Sequence, residues 1–186
     1  MTYRLAASAE MIFLDLPFAE RVKHIHDLGF EVEIWDWTKK NLSELAATGA
    51  TFGSMTGYIE GDLLYDDGIE MFLATAEQSI VASNVIDCPR LNVHGTGLDG
   101  NGQAIKQKFG TTKAEWEKAK TTLTKLAELG ARHNKTFMLE NLNLLVDHPG
   151  TPFGLASETL SLVSAIDSPN LRLNLDLYHA QVGEGN

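Results

Sequence analysis

The repeated alternation of short β-rich runs with segments of helical spacing is the feature that most constrains the fold. Between the runs, apolar residues fall on one helix face, as Phe18, Val22 and Ile25 do in the first interval. Repeated strand–helix units require right-handed crossovers and a parallel sheet. We therefore predict one domain over residues 1–186, built from about five and a half βα units. The β-rich runs are residues 3–8, 30–37, 51–58, 90–96, 135–142 and 171–178.

Residues within the predicted strands alternate between an apolar and a more polar face. In Arg90–His94, Leu91 and Val93 share one face and Asn92 and His94 the other, and every second residue of 171–177 is Leu. Strands of an open doubly wound sheet are apolar on both faces, whereas barrel strands need one apolar face toward the helices. The alternation favours a TIM-type (β/α) barrel. A complete barrel takes roughly 250 residues, so we expect a C-terminally truncated barrel in which units seven and eight are missing.

Cap residues give the expected helix boundaries. Pro17 suits the first turn of a helix. Thr112 and Glu115 have the spacing of a capping box. Gly29, Gly49 and Gly130 stand where helices are expected to end.

Charge and cysteine content exclude several classes of partner. The chain has 15 Lys and Arg against 25 Asp and Glu, for a net charge of −10, which disfavours nucleic acid and anionic membranes. Its apolar stretches are shorter than the roughly 20 residues of a membrane helix. The single cysteine, Cys88, indicates a reducing, cytoplasmic location. We expect a small-molecule partner, no nucleic acid and no membrane, and leave assembly into homo-oligomers open.

Two carboxylates at the ends of neighbouring predicted strands are the strongest chemical signal. Glu140 and Asp176 lie at the carboxyl ends of strands five and six, where barrel enzymes place their chemistry, and His179 follows three residues later. Because buried carboxylates need a cation, a donor or a proton, both can serve one divalent ion. Oxygen ligands favour Mg²⁺ or Mn²⁺, and an added imidazole favours Mn²⁺ or Zn²⁺. Alternatively, both carboxylates form structural salt bridges to a barrel cation such as Arg172.

Three further residues are candidates for the site, and two of them also have a structural interpretation. His94 ends strand four and precedes the Gly-rich segment 95–102, which we interpret as a flexible active-site loop because it lacks a phosphate-binding motif. Trp35 could stack on a sugar, and His148 could close over the barrel mouth. A hydrogen-bonded loop position explains His94 equally well, and plain packing explains Trp35 equally well.

Several motifs resemble those of the xylose-isomerase-like TIM barrels, the family of sugar isomerases and epimerases that includes hydroxypyruvate isomerase. The resemblance covers essentially the whole chain, and the motifs around strands five and six are the most specific. The matching motifs are Leu5–Phe13, Pro17–Arg21, Gly29–Glu33, Leu139–Asn143, Val146–Gly150, Ser168–Leu171, Asp176–Gln181 and Glu184–Gly185.

The resemblance implies a site and a reaction. Glu140 would be both a metal ligand and the catalytic acid/base, Asp176 a metal ligand, and His179 a substrate contact near the metal. The metal would be Mn²⁺ or Mg²⁺, with Zn²⁺ or Co²⁺ also compatible, and His94, Trp35, Asn143 and His148 are further candidates for substrate binding. The implied activity is that of an isomerase or epimerase acting on a small sugar or hydroxy-keto acid, by 1,2-proton transfer through a metal-stabilised enediolate.

Departures from the family pattern leave other functions open. The family tends to have Pro at the position of Asn141, and Asn and Ser at those of Ser8 and Glu10. The remaining ligands of the family, a His or Gln on strand seven and a second catalytic Glu on strand eight, are absent from these residues. The alternatives are an enzyme that cleaves sugar conjugates such as C-glycosides, an inactive truncated subunit for sugar binding or assembly, and a DNA-repair endonuclease. The net charge of −10 and the lack of a histidine after strand three argue against the endonuclease.

Overall fold

Six parallel strands, joined by helices, form one sheet in the computed structural model, which describes residues 3–185. The strands are β1 (Ala6–Ser8), β2 (Glu31–Ile34), β3 (Phe52–Thr56), β4 (Arg90–Val93), β5 (Thr136–Glu140) and β6 (Leu171–Asn174). The helices are α1 (Phe18–Asp27), α2 (Leu42–Ala47), α3 (Asp66–Val85), α4 (Lys113–His133), α5 (Ala156–Ile166) and α6 (Leu177–Glu184), with a 3₁₀ turn at Trp37–Lys39.

The strand order is β1-β2-β3-β4-β5-β6, and every neighbouring pair is parallel. A doubly wound sheet reverses its order at a switch point, whereas a barrel adds its strands in sequence. The observed order is therefore that of a barrel wall. Within residues 3–185 the sheet is open, with β1 and β6 at its two edges, as expected for a partial barrel.

The apolar face of the strands packs under the helices, as the alternation predicts. Val32, Leu91 and Phe137 are fully buried and belong to one core with helix residues such as Val22 and Leu123. Between them on the strands, Glu31, Asn92 and Glu140 are only partly buried and line the other face. One face of the sheet therefore provides the core, and the other is left for polar side chains.

An ion network lies at the amino-terminal ends of the strands. Glu31 accepts from Arg90 at 2.6 Å, and its other oxygen lies 3.0 Å from Arg4. Gly53 leaves room for this network, since a Cβ there would lie 2.9 Å from Glu31 Oε2. Charges at this end are paired across strands, which suits the end of a barrel that contributes stability rather than chemistry.

The predicted helix boundaries are confirmed except at one glycine and at Pro17, which is the N-cap of α1, one residue before the first turn. Thr112 and Glu115 form the capping box of α4, and Gly29 and Gly49 have positive φ just after α1 and α2. The helix end at Gly130 is wrong, because α4 continues to His133 and left-handed Asn134 ends it. Gly130 is instead needed for close approach, since a Cβ there would lie 2.8 Å from the Lys135 carbonyl oxygen. No helix within residues 3–185 has the length and apolarity to cross a membrane.

The predicted strand over 171–178 is too long. β6 ends at Asn174, and Asp176 caps α6, which begins at Leu177. The alternation of leucines continues past the strand, but Leu177 is exposed on the helix rather than buried under it. The Asp176 carboxylate caps the helix that follows the strand, and hydrophobic periodicity does not indicate such a cap. Each of the other five strands is also shorter in the structure than predicted, by three or four residues.

Candidate active site

Glu140 is the last residue of β5, and one of its oxygens is held by two neighbours. Oε2 lies 2.9 Å from His94 Nε2 and accepts a short hydrogen bond from Asn92 Nδ2. Burial by itself raises the pKa of this carboxyl. The hydrogen bond and charge of His94, the bond from Asn92 and the charge of His179 outweigh burial and lower the pKa below its usual value. Glu140 is therefore a carboxylate at neutral pH.

The partners of Glu140 are themselves held in place. The Nδ1 atom of His94 lies 3.3 Å from the Tyr58 hydroxyl, which donates to the Thr96 carbonyl. Asn174 donates to Asn92 Oδ1 at 3.1 Å. Burial and the charge of Glu140 raise the pKa of Tyr58, so its hydroxyl stays a donor. Both ring nitrogens of His94 thus face protein groups, and substrate contact by His94 stays a prediction.

Asp176 is fixed by α6 on one side and by Asn141 on the other. Its Oδ1 accepts from the His179 backbone N–H at 2.8 Å, which makes it the N-cap. The fully buried Asn141 side chain accepts a hydrogen bond from the Asp176 N–H at 2.8 Å and donates one to the Asp176 carbonyl at 3.0 Å. At the position where the family tends to have proline, this chain uses an amide to join the ends of β5 and β6.

Glu140, Asp176 and His179 converge on one point. Each offers one ligand atom, and these atoms all lie within 4.8 Å of one another. Among the described residues, Glu140 Oε1 and Asp176 Oδ2 have no hydrogen-bond partner, and Oδ2 lies 3.9 Å from His179 Nε2. Two carboxylate oxygens and an imidazole nitrogen that approach one another this closely fit a divalent cation. Glu140 pairs with Asn92 and His94 and not with Arg172, which is exposed, so the predicted salt bridge to Arg172 is not formed.

The loop that contains His148 packs against His179. The two imidazole rings are 5.0 Å apart and meet edge to face. The Nδ1 atom of His148 donates to the Gly102 carbonyl, so this residue joins the β5–α5 loop to the Gly-rich loop after β4. Burial lowers the pKa of His148 more than its hydrogen bond to Gly102 raises it, and the charges of His179 and His94 act in the same direction as burial. His148 is therefore neutral near pH 7.

The Gly-rich loop and the residues that follow it contact the β5–α5 loop. Gln103 donates to the Asp147 carbonyl at 2.6 Å, and the Lys108 N–H donates to the Gly150 carbonyl at 2.7 Å. Gly95, at the start of the loop, also lies close to the β5–α5 loop, since a Cβ there would lie 1.9 Å from the Pro152 carbonyl oxygen. The interpretation of residues 95–102 as a flexible loop does not anticipate these contacts, because all of them come from residues about 50 positions later in the chain.

Trp35 lies apart from this cluster. It follows β2, three strands from β5 in the sheet order, and its side chain is about half exposed. Its backbone N–H donates to Glu10 at 3.0 Å, and Glu10 also pairs with Lys40 at 2.8 Å. The ring is free to contact a ligand across the mouth, and sugar stacking by Trp35 stays a prediction.

Four residues of the site were missed as site residues by sequence reasoning: Asn92, Tyr58, Asn141 and Asp147. Alternation along β4 places Asn92 on the face of His94, which is a signal that could have found it. Asn141 immediately follows Glu140, but its bonds to Asp176 depend on the pairing of β5 with β6. Tyr58 and Asp147 lie on loops, where no periodicity indicates which groups they meet.

Comparison with known proteins places the chain in a family. Residues 7–186 match the family model of the xylose isomerase-like TIM barrel. The chain belongs to this family, which confirms the resemblance and the predicted fold.

The curated relatives include isomerases. A 2-oxo-tetronate isomerase of Pectobacterium atrosepticum is 28% identical over 198 residues, covering 98% of this chain and 71% of the relative. A 3-dehydroshikimate dehydratase of Bacillus anthracis is 24% identical, with 88% and 58% covered. A Mus musculus protein provisionally named a hydroxypyruvate isomerase is 23% identical, with 98% and 69% covered.

The fold also matches solved structures. The crystal structure of an AP endonuclease, family 2, from Brucella melitensis superposes with a TM-score of 0.80 at 23% identity, covering 98% of this chain and 72% of that one. At this identity the likeness concerns the fold alone.

Proposed function

We propose that this chain carries the strand-five and strand-six half of the active site of a metal-dependent isomerase or epimerase for small sugars or hydroxy-keto acids. The observation that carries the proposal is the convergence of Glu140, Asp176 and His179 within 4.8 Å at the carboxyl ends of β5 and β6. The relatives named as isomerases support the class of reaction. Because the chain spans about 70% of those relatives, the full reaction is part of the proposal.

Glu140 and Asp176 would hold the metal through the oxygens that have no protein partner. Mg²⁺ or Mn²⁺ suits this pair, and Zn²⁺ or Co²⁺ would need the imidazole as well. When bound, the ion supplies a positive charge that polarises a substrate carbonyl. Asn141 fixes the backbone of Asp176, and Asn92 and His94 fix Glu140, so the two carboxylates are oriented before any ligand arrives.

Glu140 would act as the general base. A substrate C–H next to a carbonyl gives its proton to the carboxylate, and the electron pair of that bond passes into the carbonyl group. The lowered pKa of Glu140 keeps it ionised and ready to accept the proton at neutral pH. His179 would hold a substrate oxygen, and Trp35, His94, Asn143 and His148 are the further residues proposed around the substrate.

One carboxylate is enough to test the first half of this reaction. In D₂O with Mg²⁺, the chain should exchange the C3 hydrons of hydroxypyruvate or a 2-oxo-tetronate, because Glu140 removes a proton and returns a deuteron to the same carbon. Loss of the C3 signal in ¹H NMR measures the rate. Glu140→Gln should slow this exchange at least ~100-fold, which is within the usual contribution of a general base.

Glu33→Gln is the matched control. Glu33 also faces the inner side of the sheet, where Ser54 donates to it at 2.9 Å. Glu33 is paired with Ser54, Ser54 with Arg90, and Arg90 with Thr136, which lies four residues before Glu140 on β5. Glu33 is therefore nearer the amino-terminal end of the sheet than the proposed site is. This variant should exchange like the parent chain. Equal rates for the parent and Glu140→Gln would contradict the proposal, and sugar binding without any exchange would favour a binding subunit.

A further inference from the structure

The orientation of the Asn143 side-chain amide is determined by its surroundings. Its Oδ1 accepts the backbone N–H groups of Val146 at 3.2 Å and Asp147 at 2.9 Å. Its Nδ2 lies 2.6 Å from Asp147 Oδ2. Rotating the amide by half a turn would place NH₂ against two N–H donors and the oxygen against a carboxylate. The observed orientation is therefore the only one that satisfies all these groups.

The same nitrogen faces His179. Asn143 Nδ2 lies 2.8 Å from His179 Nδ1. An amide NH₂ can only donate, so Nδ1 must be the acceptor and carry no hydrogen. The neutral ring then carries its hydrogen on Nε2, the nitrogen that lies 3.9 Å from Asp176 Oδ2.

Asp147 stabilises this arrangement by accepting a hydrogen bond from Asn143. Its Oδ2 accepts from Asn143 and also from the Tyr178 hydroxyl at 2.8 Å. Bonds from Asn143 and Tyr178 lower the pKa of Asp147, so the acceptor stays ionised near pH 7. Asn143 is fully buried, and its oxygen and its NH₂ group are both used within the protein.

We propose that Asn143 is a positioning residue that holds His179 as its Nε2–H tautomer, the form that suits the substrate contact already proposed for His179 and that leaves no bare nitrogen facing the metal. A histidine binds a metal through a bare nitrogen. The nitrogen of His179 that faces the carboxylates carries a hydrogen, and the bare one is covered by Asn143. The inference rests on the proposed function for the metal and for the nature of the acceptor; the tautomer stands without it.

The tautomer can be read directly by NMR. Long-range ¹H–¹⁵N spectra at pH 8 distinguish bare from protonated ring nitrogens, and His179→Gln identifies the signals of His179 among the six histidines. The parent chain should show a bare Nδ1 and a protonated Nε2. In the exchange variant Asn143→Asp with Asp147→Asn, a carboxylate faces Nδ1 and the tautomer should reverse. Asp147→Asn alone keeps the amide at 143 and should keep the parent tautomer.

Metal titration tests the second half of the inference. His179→Gln should bind Mn²⁺ within about threefold of the parent chain, whereas Asp176→Asn should weaken binding at least ~10-fold. A protonated Nδ1 in the parent spectrum would overturn the inference, and so would a loss of Mn²⁺ affinity in His179→Gln as large as that in Asp176→Asn. Absence of hydron exchange with the predicted tautomer intact would count against the proposed function but not against the role of Asn143.

Discussion

Replacing Asn141 by alanine removes the two hydrogen bonds that fix the backbone of Asp176. The amide accepts from the Asp176 N–H at 2.8 Å and donates to its carbonyl at 3.0 Å, from a side chain with no exposed surface. Alanine at position 141 can make neither bond, so its side chain no longer joins the end of β6 to β5. We expect both a loss of stability and a loosened metal ligand.

The size of each effect follows from the contacts. Each neutral hydrogen bond contributes about 1 kcal/mol net, so losing two costs about 2 kcal/mol. Because Asp176 is partly exposed, water can replace part of the lost hydrogen bonding, so leaving its backbone groups unpaired should add no further cost in stability. In a chain of this size, 2 kcal/mol lowers the melting temperature by ~4–8 °C. Loss of a contact that orients a ligand weakens metal binding by ~10–100-fold.

Asn170→Ala is the control on the same pair of strands. Asn170 donates one side-chain hydrogen bond, to the Lys135 carbonyl at 2.8 Å, at the opposite end of β5 and β6. It should cost about 1 kcal/mol and ~2–4 °C. Because it lies far along the strands from Asp176, it should leave Mn²⁺ affinity unchanged.

Calorimetric unfolding and Mn²⁺ titration of the three proteins measure both quantities. The reasoning is refuted if Asn141→Ala binds Mn²⁺ as tightly as the parent chain. It is also refuted if Asn170→Ala weakens Mn²⁺ binding to the same extent, since the effect would then reflect general loosening of the strands.

Two other substitution or labelling experiments test the fold. Burial raises the pKa of the Cys88 thiol to about 12, so a thiol reagent at pH 8 should label it only after unfolding; rapid labelling of the native chain would contradict its burial. Gly95→Ala would place a Cβ 1.9 Å from the Pro152 carbonyl oxygen, and overpacking against backbone should cost about 3 kcal/mol in a thermal unfolding measurement. Gly100→Ala, on the same loop with open space around it, should be nearly neutral; equal losses in both variants would contradict the close packing at Gly95.

Periodicity and capping predicted most of the fold. Alternation in β2, β4 and β5 identified the buried face, because a strand between helices and a polar interior must bury every second residue. The capping box at Thr112 and Glu115 is a local contact, so four residues were enough to predict it. The errors, at Gly130 and in the lengths of the strands, arose where close packing or a side-chain cap such as Asp176, and not periodicity, sets the boundary.

The candidate site divides in the same way. Glu140, Asp176 and His179 could be predicted because strand ends of a parallel sheet meet at one edge, so their position along the chain fixed their neighbourhood. The hydrogen bonds that orient them could not. Asn92 holding Glu140, Asn141 holding Asp176, and Asn143 holding His179 are three amides whose partners lie 48, 35 and 36 positions away.

The sequence by itself therefore determined which charged residues lie at the carboxyl ends of the strands, since that depends on local periodicity and the order of the strands. Only the tertiary structure decided which atom of each group is free. A hydrogen bond depends on distances of a few tenths of an ångström between segments far apart in the chain. That precision leaves Glu140 Oε1 and Asp176 Oδ2 without hydrogen-bond partners among the described residues, and it places His179 Nε2 3.9 Å from Asp176 Oδ2.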